Sequence, residues 1–283
     1  PCARVHHSLD KVRVILALDS DFLVEGPDHV RLARQFGQQR RPVEGEGAKA
    51  EVGLPENRLY VAEGVFSRTG ATADHRLRLA SGQAPTFLAA LAAELAGKHG
   101  VALGEAAVQG APPAGCEKWV AALAKDLAKN RGGSLIFVGE RQPAAVHALA
   151  HAINVGLGAA ESGALSVTAT AGAAPRVSLY DSLAALTKDL QAGSVETLVI
   201  FDANPVYTAP GAKAFAEAMK KAKVVVHAGV MLDETGTAAG WHVPLAHFLE
   251  SWGDARGFDG TASIVQPLIL PLHGARAALS LLA

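Results

Sequence analysis

At 283 residues, the chain is long enough for one large domain or two ordinary ones. Its formal net charge of −1 gives no electrostatic reason to expect a nucleic-acid or anionic-membrane partner. No stretch reaches the run of about 18 apolar residues that spans a bilayer, no signal-peptide pattern opens the chain, and Cys2 and Cys116 have no neighbours at metal-ligand spacing, which excludes an iron–sulfur cluster held by this chain.

In chain order, the first predicted strand is VRVILAL, residues 12 to 18. An apolar β-branched run without alternation is how a parallel strand buried on both faces reads. Asp19, Ser20 and Asp21 follow it, and the residue types predict a solvated loop with one acid capping the next helix. That helix is HVRLARQFGQQRR, and the Gly/Pro-rich residues 42 to 56 predict a mobile loop. NRLYVAEG is a second strand ending on Glu63, an acid placed as one that binds a ribose hydroxyl would be. The first turn, however, lacks G-x-G-x-x-G. HRLRL is a short strand, and APTFLAALAAELAGKHG is a helix stopped by Gly97 or Gly100.

QGAPPAG, residues 109 to 115, is the predicted boundary, giving a first α/β unit at 1–110 and a second at 111–283. CEKWVAALAKDLAKN is an amphipathic helix, GGSLIFVGE a buried strand, and Pro143 opens the next helix where proline is tolerated. His147 and His151 on that helix have ligand spacing, but without the Glu of H-E-x-x-H they read as packed histidines. LSVTAT is a strand and SLAALTKDLQAG a helix. The stretch 197–245 then forms a βαβ unit: TLVIF, a loop through Asp202, Asn204 and Pro205, the helix AKAFAEAMKKA, the strand KVVVHAG, and a loop with Asp233, Glu234 and Thr235. Residues 241–273 have little periodicity and predict a long ordered loop across the sheet edge. No nucleophile motif and no P-loop is present.

Two pseudo-repeats link the halves. VILALDSDFLVEGP parallels LVIFDANPVYTAP, and EGVFSRTGATADHRLRL parallels AGVMLDETGTAAGWHVPL with one residue inserted. The expected architecture is α/β, two Rossmann-like units with mostly parallel sheets. The first strand begins close to the start of the chain, and ARAALSLLA stops inside an apolar helical pattern, so the chain reads as an internal piece of a longer polypeptide.

Taken in series, these motifs resemble the molybdopterin oxidoreductases. RLYVAEGVFSRTGATAD is similar to that family's strand followed by T-x-T-A-x-x-A-D, with Thr69, Ala73 and Asp74 in place. LVIFDANP matches a strand ending G-x-N-P through Asn204 and Pro205, and LDETGTA matches an acid-rich loop. The resemblance implies the fold of the family's middle domains, with Glu63, Asp74, Asn204, Asp233, Glu234 and Thr235 as remnants of a site for molybdopterin guanine dinucleotide. Two departures argue against a working site. Ser81-Gly82-Gln83-Ala84 replaces P-G-T-D, removing an acid, and WGDARGFDGTASIVQP replaces G-T-F-T-N. NPVYTAP, HVPLAHFLESWGDARGFDGT and SIVQPLI resemble more closely the large B subunit of alternative complex III, a bacterial quinol-oxidising complex.

That closer resemblance implies a cofactor-less structural domain on the periplasmic face of the cytoplasmic membrane. Its partners would be an iron–sulfur half of the same polypeptide and other subunits of the complex, docked through Trp241 to Gln266. The alternative is part of a catalytic molybdoenzyme binding the pterin at the strand carboxyl ends. A weaker one is an unrelated nucleotide-binding oxidoreductase.

Overall fold

The computed structural model describes the chain except residues 1–2, 41–42, 45–50, 53–56, 107–109 and 170–177. It divides into two compact units, Pro1–Ala171 and Gly172–Ala283.

The first unit runs β1 (Ala3–His7), β2 (Val14–Leu18), α1 (His29–Gln38), β3 (Val43–Glu44), β4 (Glu51–Val52), β5 (Arg58–Glu63), α2 (Arg68–Ala71), β6 (His75–Arg78), α3 (Ala84–His99), α4 (Glu117–Lys129), β7 (Ser134–Val138), α5 (Ala144–Gly156) and β8 (Leu165–Ala169). Its main sheet has the order β6-β5-β2-β7, all parallel. Every residue of β2 is buried, as the unbroken apolar run predicts for a central strand. Val14, Leu16 and Leu18 point to one face, where Phe87, Leu88 and Leu91 of α3, Leu123 of α4 and Ile153 of α5 cover them. Ile15 and Ala17 point to the other, against Leu32 and Phe36 of α1. The chain leaves β2 toward β5 and β6, then returns through α3 and α4 to β7 on the other side of β2. The strand order therefore reverses between β2 and β7, where open parallel sheets carry their crevice.

The division of the chain differs from the sequence expectation. Residues 111–169 belong with the first unit. β7 pairs with β2 from Val14↔Ser134 to Leu18↔Val138, and β8 pairs antiparallel with β1. Gly110 lies against α3, where an added Cβ would stand 3.1 Å from the Ala89 methyl. The Gly/Pro run thus joins two helices packed on one sheet. Turn residues report that the chain bends, not what the next element packs against. Most of the predicted loop 42–56 lies outside the described residues. Within it, Val43–Glu44 and Glu51–Val52 pair antiparallel.

The second unit runs α6 (Leu179–Ala192), β9 (Thr197–Phe201), α7 (Pro205–Thr208), α8 (Ala212–Met219), β10 (Val224–Gly229), α9 (Glu234–Ala238), β11 (Trp241–Pro244), β12 (Gly253–Arg256), β13 (Ala262–Val265) and α10 (Ala278–Leu282). Its parallel sheet has the order β11-β10-β9. Leu198, Ile200 and Val225 pack on Leu190 of α6 and on Phe215 and Met219 of α8. Residues 241–273 are more regular than expected. Trp241–Pro244 joins the sheet beside β10, and β12 and β13 form a hairpin. Its turn is closed by Asp259, whose carboxylate accepts bonds from the Thr261 N–H at 3.0 Å and hydroxyl at 2.9 Å. Among the described residues, no helix is long and apolar enough to cross a membrane.

One half-buried histidine makes stability depend on pH. Burial against Phe137, 4.7 Å away between ring centroids, lowers the His7 pKa from 6.5 to about 4, with Asp28 opposing. The folded chain then holds His7 neutral where the unfolded chain protonates it. Its contribution is complete above pH 6.5 and is lost as pH falls toward 4. Thermal unfolding between pH 7 and 4 should show a smaller loss of stability in His7→Gln than in the parent. Parallel curves would refute the assignment.

Candidate functional site

The two carboxyl strand ends are built alike. Asp19 follows β2 with φ 51° and Asp202 follows β9 with φ 45°, a left-handed conformation that Asp tolerates better than most residues. Each N–H then bonds the neighbouring strand, Asp19 to the Ala62 carbonyl at 2.8 Å and Asp202 to that of Ala228 at 2.7 Å. Two residues on, Asp21 Oδ1 accepts the Thr69 N–H at 2.8 Å and the Thr69 hydroxyl at 2.5 Å. Asn204 Oδ1 accepts the Thr235 N–H at 3.3 Å and the Thr235 hydroxyl at 2.8 Å. Thr69 and Thr235 are fully buried. Their hydroxyls accept in turn from the N–H groups of Leu23 and Val206. Ser67 caps α2 through the Gly70 N–H, and Asp233 caps α9 through the Gly236 N–H. Asp19 and Asp21 therefore serve the sheet and α2. Neither caps α1, which starts at Asp28 without a side-chain cap bond.

Beneath these latches the units differ. In the first, Glu63 is buried and accepts the Ser67 hydroxyl at 2.6 Å, the Ser67 N–H at 3.3 Å and Arg76 Nε at 2.6 Å. Gly70 must be glycine, because a Cβ would stand 2.0 Å from Glu63 Oε1. In the second, His227 lies beside His242 on β11, with 2.9 Å between their Nδ1 atoms. His227 is buried, and its Nε2, which makes no hydrogen bond, lies 3.6 Å from Asp233 Oδ1.

A cleft of about 710 Å³ opens at the carboxyl ends of β2, β5 and β7. Asp19, Asp21, Glu25, Glu63 and Glu140 line it with Arg141. Gln142 bridges its floor, donating to Asp19 Oδ2 at 2.9 Å and to the Ser81 carbonyl at 3.1 Å, while the Ser81 hydroxyl donates to Asp19 Oδ1 at 3.0 Å. Gly139 permits this closure, since a Cβ there would stand 1.8 Å from the Asp19 carbonyl oxygen.

Of the residues singled out from sequence, Asn204, Asp233, Glu234 and Thr235 converge. The Asn204 amide donates to Glu234 Oε2 at 2.7 Å. Glu63 reaches the cleft wall of the first unit with its carboxylate already bonded. Asp74 lies at the opposite, amino end of that sheet, where it pairs with Arg40 and accepts the Leu59 N–H at 2.8 Å. Burial raises the Asp74 pKa, but the Arg40 and Leu59 bonds outweigh it and hold the carboxyl below its ordinary value. His147 is half-buried and His151 exposed, so His151 is not packed as expected. Sequence reading missed the His227–His242 pair. A histidine inside the apolar run KVVVHAG was its only mark. Among the described residues, no group of three or more His, Cys, Asp or Glu side chains could hold a metal ion.

Replacing either buried threonine by valine should destabilise its unit by about 1–3 kcal/mol, because an acceptor and an N–H both lose their partner. Asp21→Asn keeps the acceptor oxygen and should cost little. Asn204→Asp loses the donor to Glu234 and sets two carboxylates together, so it should cost more. Denaturant unfolding, with local hydrogen exchange at α2 and α9, checks the ranking. Equal effects of Asp21→Asn and Asn204→Asp would contradict it.

No family model matches the sequence, and no curated protein matches it. Among solved structures, the chain is similar to acetylene hydratase from Pelobacter acetylenicus, with a TM-score of 0.58 at 11% identity. The match covers 98% of this chain and 47% of that one, so the chain spans about half the length of the neighbour whose α/β fold it shares.

Proposed function

We propose that this chain is a molybdopterin-oxidoreductase-like domain that carries no pterin and serves as a structural part of a membrane-associated, quinol-oxidising electron-transfer complex of the alternative complex III kind. The likeness to acetylene hydratase supports the molybdopterin-oxidoreductase-like fold. The complex, its periplasmic location and the iron–sulfur partner rest on the sequence resemblance.

The observation that carries the cofactor-less reading is the charge of the cleft. A guanine dinucleotide brings a pyrophosphate, which needs N–H donors or cations. The cleft of the first unit offers five carboxylates and one guanidinium. Ala84, standing where the resemblance places an acid, opens α3 and is fully buried, so an acid there would lie in the core. In the second unit, the amide of Asn204 is bonded to Glu234 and Thr235. The residues present do not fit the dinucleotide. Losing one charge-assisted bond, as at Ala84, costs about 1.5–3 kcal/mol, or roughly ten- to a hundredfold in affinity.

Docking is supported by the apolar surface of the Trp241–Gln266 segment. Trp241, Phe248, Trp252 and Ile264 are all more than 60% exposed, the composition of an interface core. The purified chain should contain no stoichiometric molybdenum by elemental analysis. It should release no fluorescent oxidised pterin on denaturation and show no redox activity alone. Stoichiometric molybdenum or released pterin would replace this reading with the catalytic one.

A further inference from the structure

Matching backbone bonds put the two sheets in register. Asp19 bonds Ala62 as Asp202 bonds Ala228, and Leu79 bonds the Glu63 carbonyl as Leu245 bonds that of Gly229. His227 therefore stands at the place of Val61, Gly229 at that of Glu63 and His242 at that of Arg76. Asp233 and Gly236 match Ser67 and Gly70. The chemistry at this spot is inverted. In the first unit a buried acid accepts from the capping side chain and from a guanidinium. In the second a buried base faces a capping acid. A Cβ at Gly229 would stand 2.6 Å from His227 Cε1, so the imidazole takes the room that a side chain there would need.

His227 is 1% exposed, and among the described residues its Nε2 is the buried side-chain polar atom left without a hydrogen bond. Asp233 Oδ1 lies 3.6 Å from that atom, and the half-buried His242 sets its Nδ1 2.9 Å from the Nδ1 of His227. The other neighbours on this face of the sheet are apolar: Ile200 on β9, Leu190 on α6, and Phe215 and Met219 on α8. Glu234, beside Asp233, is exposed and bonded to the Asn204 amide. Arg276, whose N–H bonds the Pro244 carbonyl at the end of β11, is exposed as well. The backbone of α9 closes over the two rings. A Cβ at Gly236 would stand 2.8 Å from His227 Nδ1 and 3.1 Å from His242 Nδ1.

This geometry sets how the cluster takes up acid. One added proton makes one ring an imidazolium, and that ring is then the donor of the Nδ1 contact. Both outer Nε2 atoms carry hydrogen in this state, whichever ring is charged. The buried Nε2 gains a partner in Asp233, whose carboxylate balances the new charge. A second proton puts hydrogen on both Nδ1 atoms, which cannot face each other at 2.9 Å beneath α9. We propose that the His227–His242 pair binds one proton as a lock fastening α9 to the sheet through Asp233, and that a second proton releases α9 together with the Thr235–Asn204 latch. The first unit has Val61 and Arg76 at the two places and carries no such lock. The proposal does not rest on the absence of a pterin.

The test is hydrogen exchange of the Gly236 and Thr237 amides between pH 8 and 4.5, read as protection relative to the β10 amides that bond β9. These two N–H groups bond the side chain and the carbonyl of Asp233, so they report α9 directly. Protection should rise about threefold to a maximum and then fall about tenfold on the acid side. At the maximum, nitrogen NMR of the full chain should show hydrogen on both Nε2 atoms and one hydrogen between the Nδ1 atoms. His242→Gln keeps a hydrogen-bonding partner but takes no proton, so it should keep the rise and lose the acid-side fall. His227→Val, matching Val61, should leave protection level across the range. A parent chain whose protection only falls toward acid would overturn the proposal. So would an acid-side fall that persists in His242→Gln, or a parent-like curve in His227→Val.

Discussion

The carboxyl ends of both sheets depend on one bond between an oxygen two residues past the left-handed Asp and a buried threonine hydroxyl. Asp21 and Asn204 supply the oxygen, Thr69 and Thr235 the hydroxyl. Each hydroxyl is out of water and must be satisfied on both its donor and acceptor sides. Each therefore ties three segments together: the loop leaving one strand, the N–H two residues later, and the short helix following the neighbouring strand. A cap at Ser67 or Asp233 then fixes that helix. The loops where an α/β fold would place a ligand are thus committed to holding each other.

This commitment changes what the cleft can do. Its acids are structural first. Asp21 is the latch, Glu63 anchors Ser67 and Arg76, and Asp19 is bridged by Ser81 and Gln142. A site that has turned its polar groups inward presents the negative potential of its carboxylates outward, with Arg141 the one cation lining the cleft. Five carboxylates around one guanidinium set a field that opposes the approach of a polyanion.

Much of the fold was legible because parallel strands announce themselves. VILAL, RLYVAE, SLIFV and VVVHAG are short apolar runs, and each proved to be a strand in a parallel sheet, as the α/β reading expected. The pseudo-repeat was legible through Asp-Ser-Asp and Asp-Ala-Asn followed by Thr-Gly. The unit boundary was not, because QGAPPAG and the junction after β8 look equally loop-like and only the pairing of β7 with β2 separates them. The strand WHVP was hidden by its proline, at the edge of the sheet. Asp74 was misleading for another reason. Its motif is local, but its end of the sheet is set by its place just before β6, beside Leu59 at the start of β5.

Where the first unit sets the Glu63–Arg76 ion pair, the second sets paired imidazoles, and the consequence is of a different kind. In the ion pair every hydrogen belongs to the guanidinium. Two Nδ1 atoms 2.9 Å apart leave room for one proton between them. One ring must present Nδ1–H and the other a bare lone pair, so the tautomer of His242 dictates that of His227. Its Nε2, facing the Asp233 carboxylate, carries a hydrogen when His242 is the donor of the pair. In the neutral pair the capping carboxylate of α9, 3.6 Å from that Nε2, therefore faces an N–H or a bare lone pair according to which of the two rings donates.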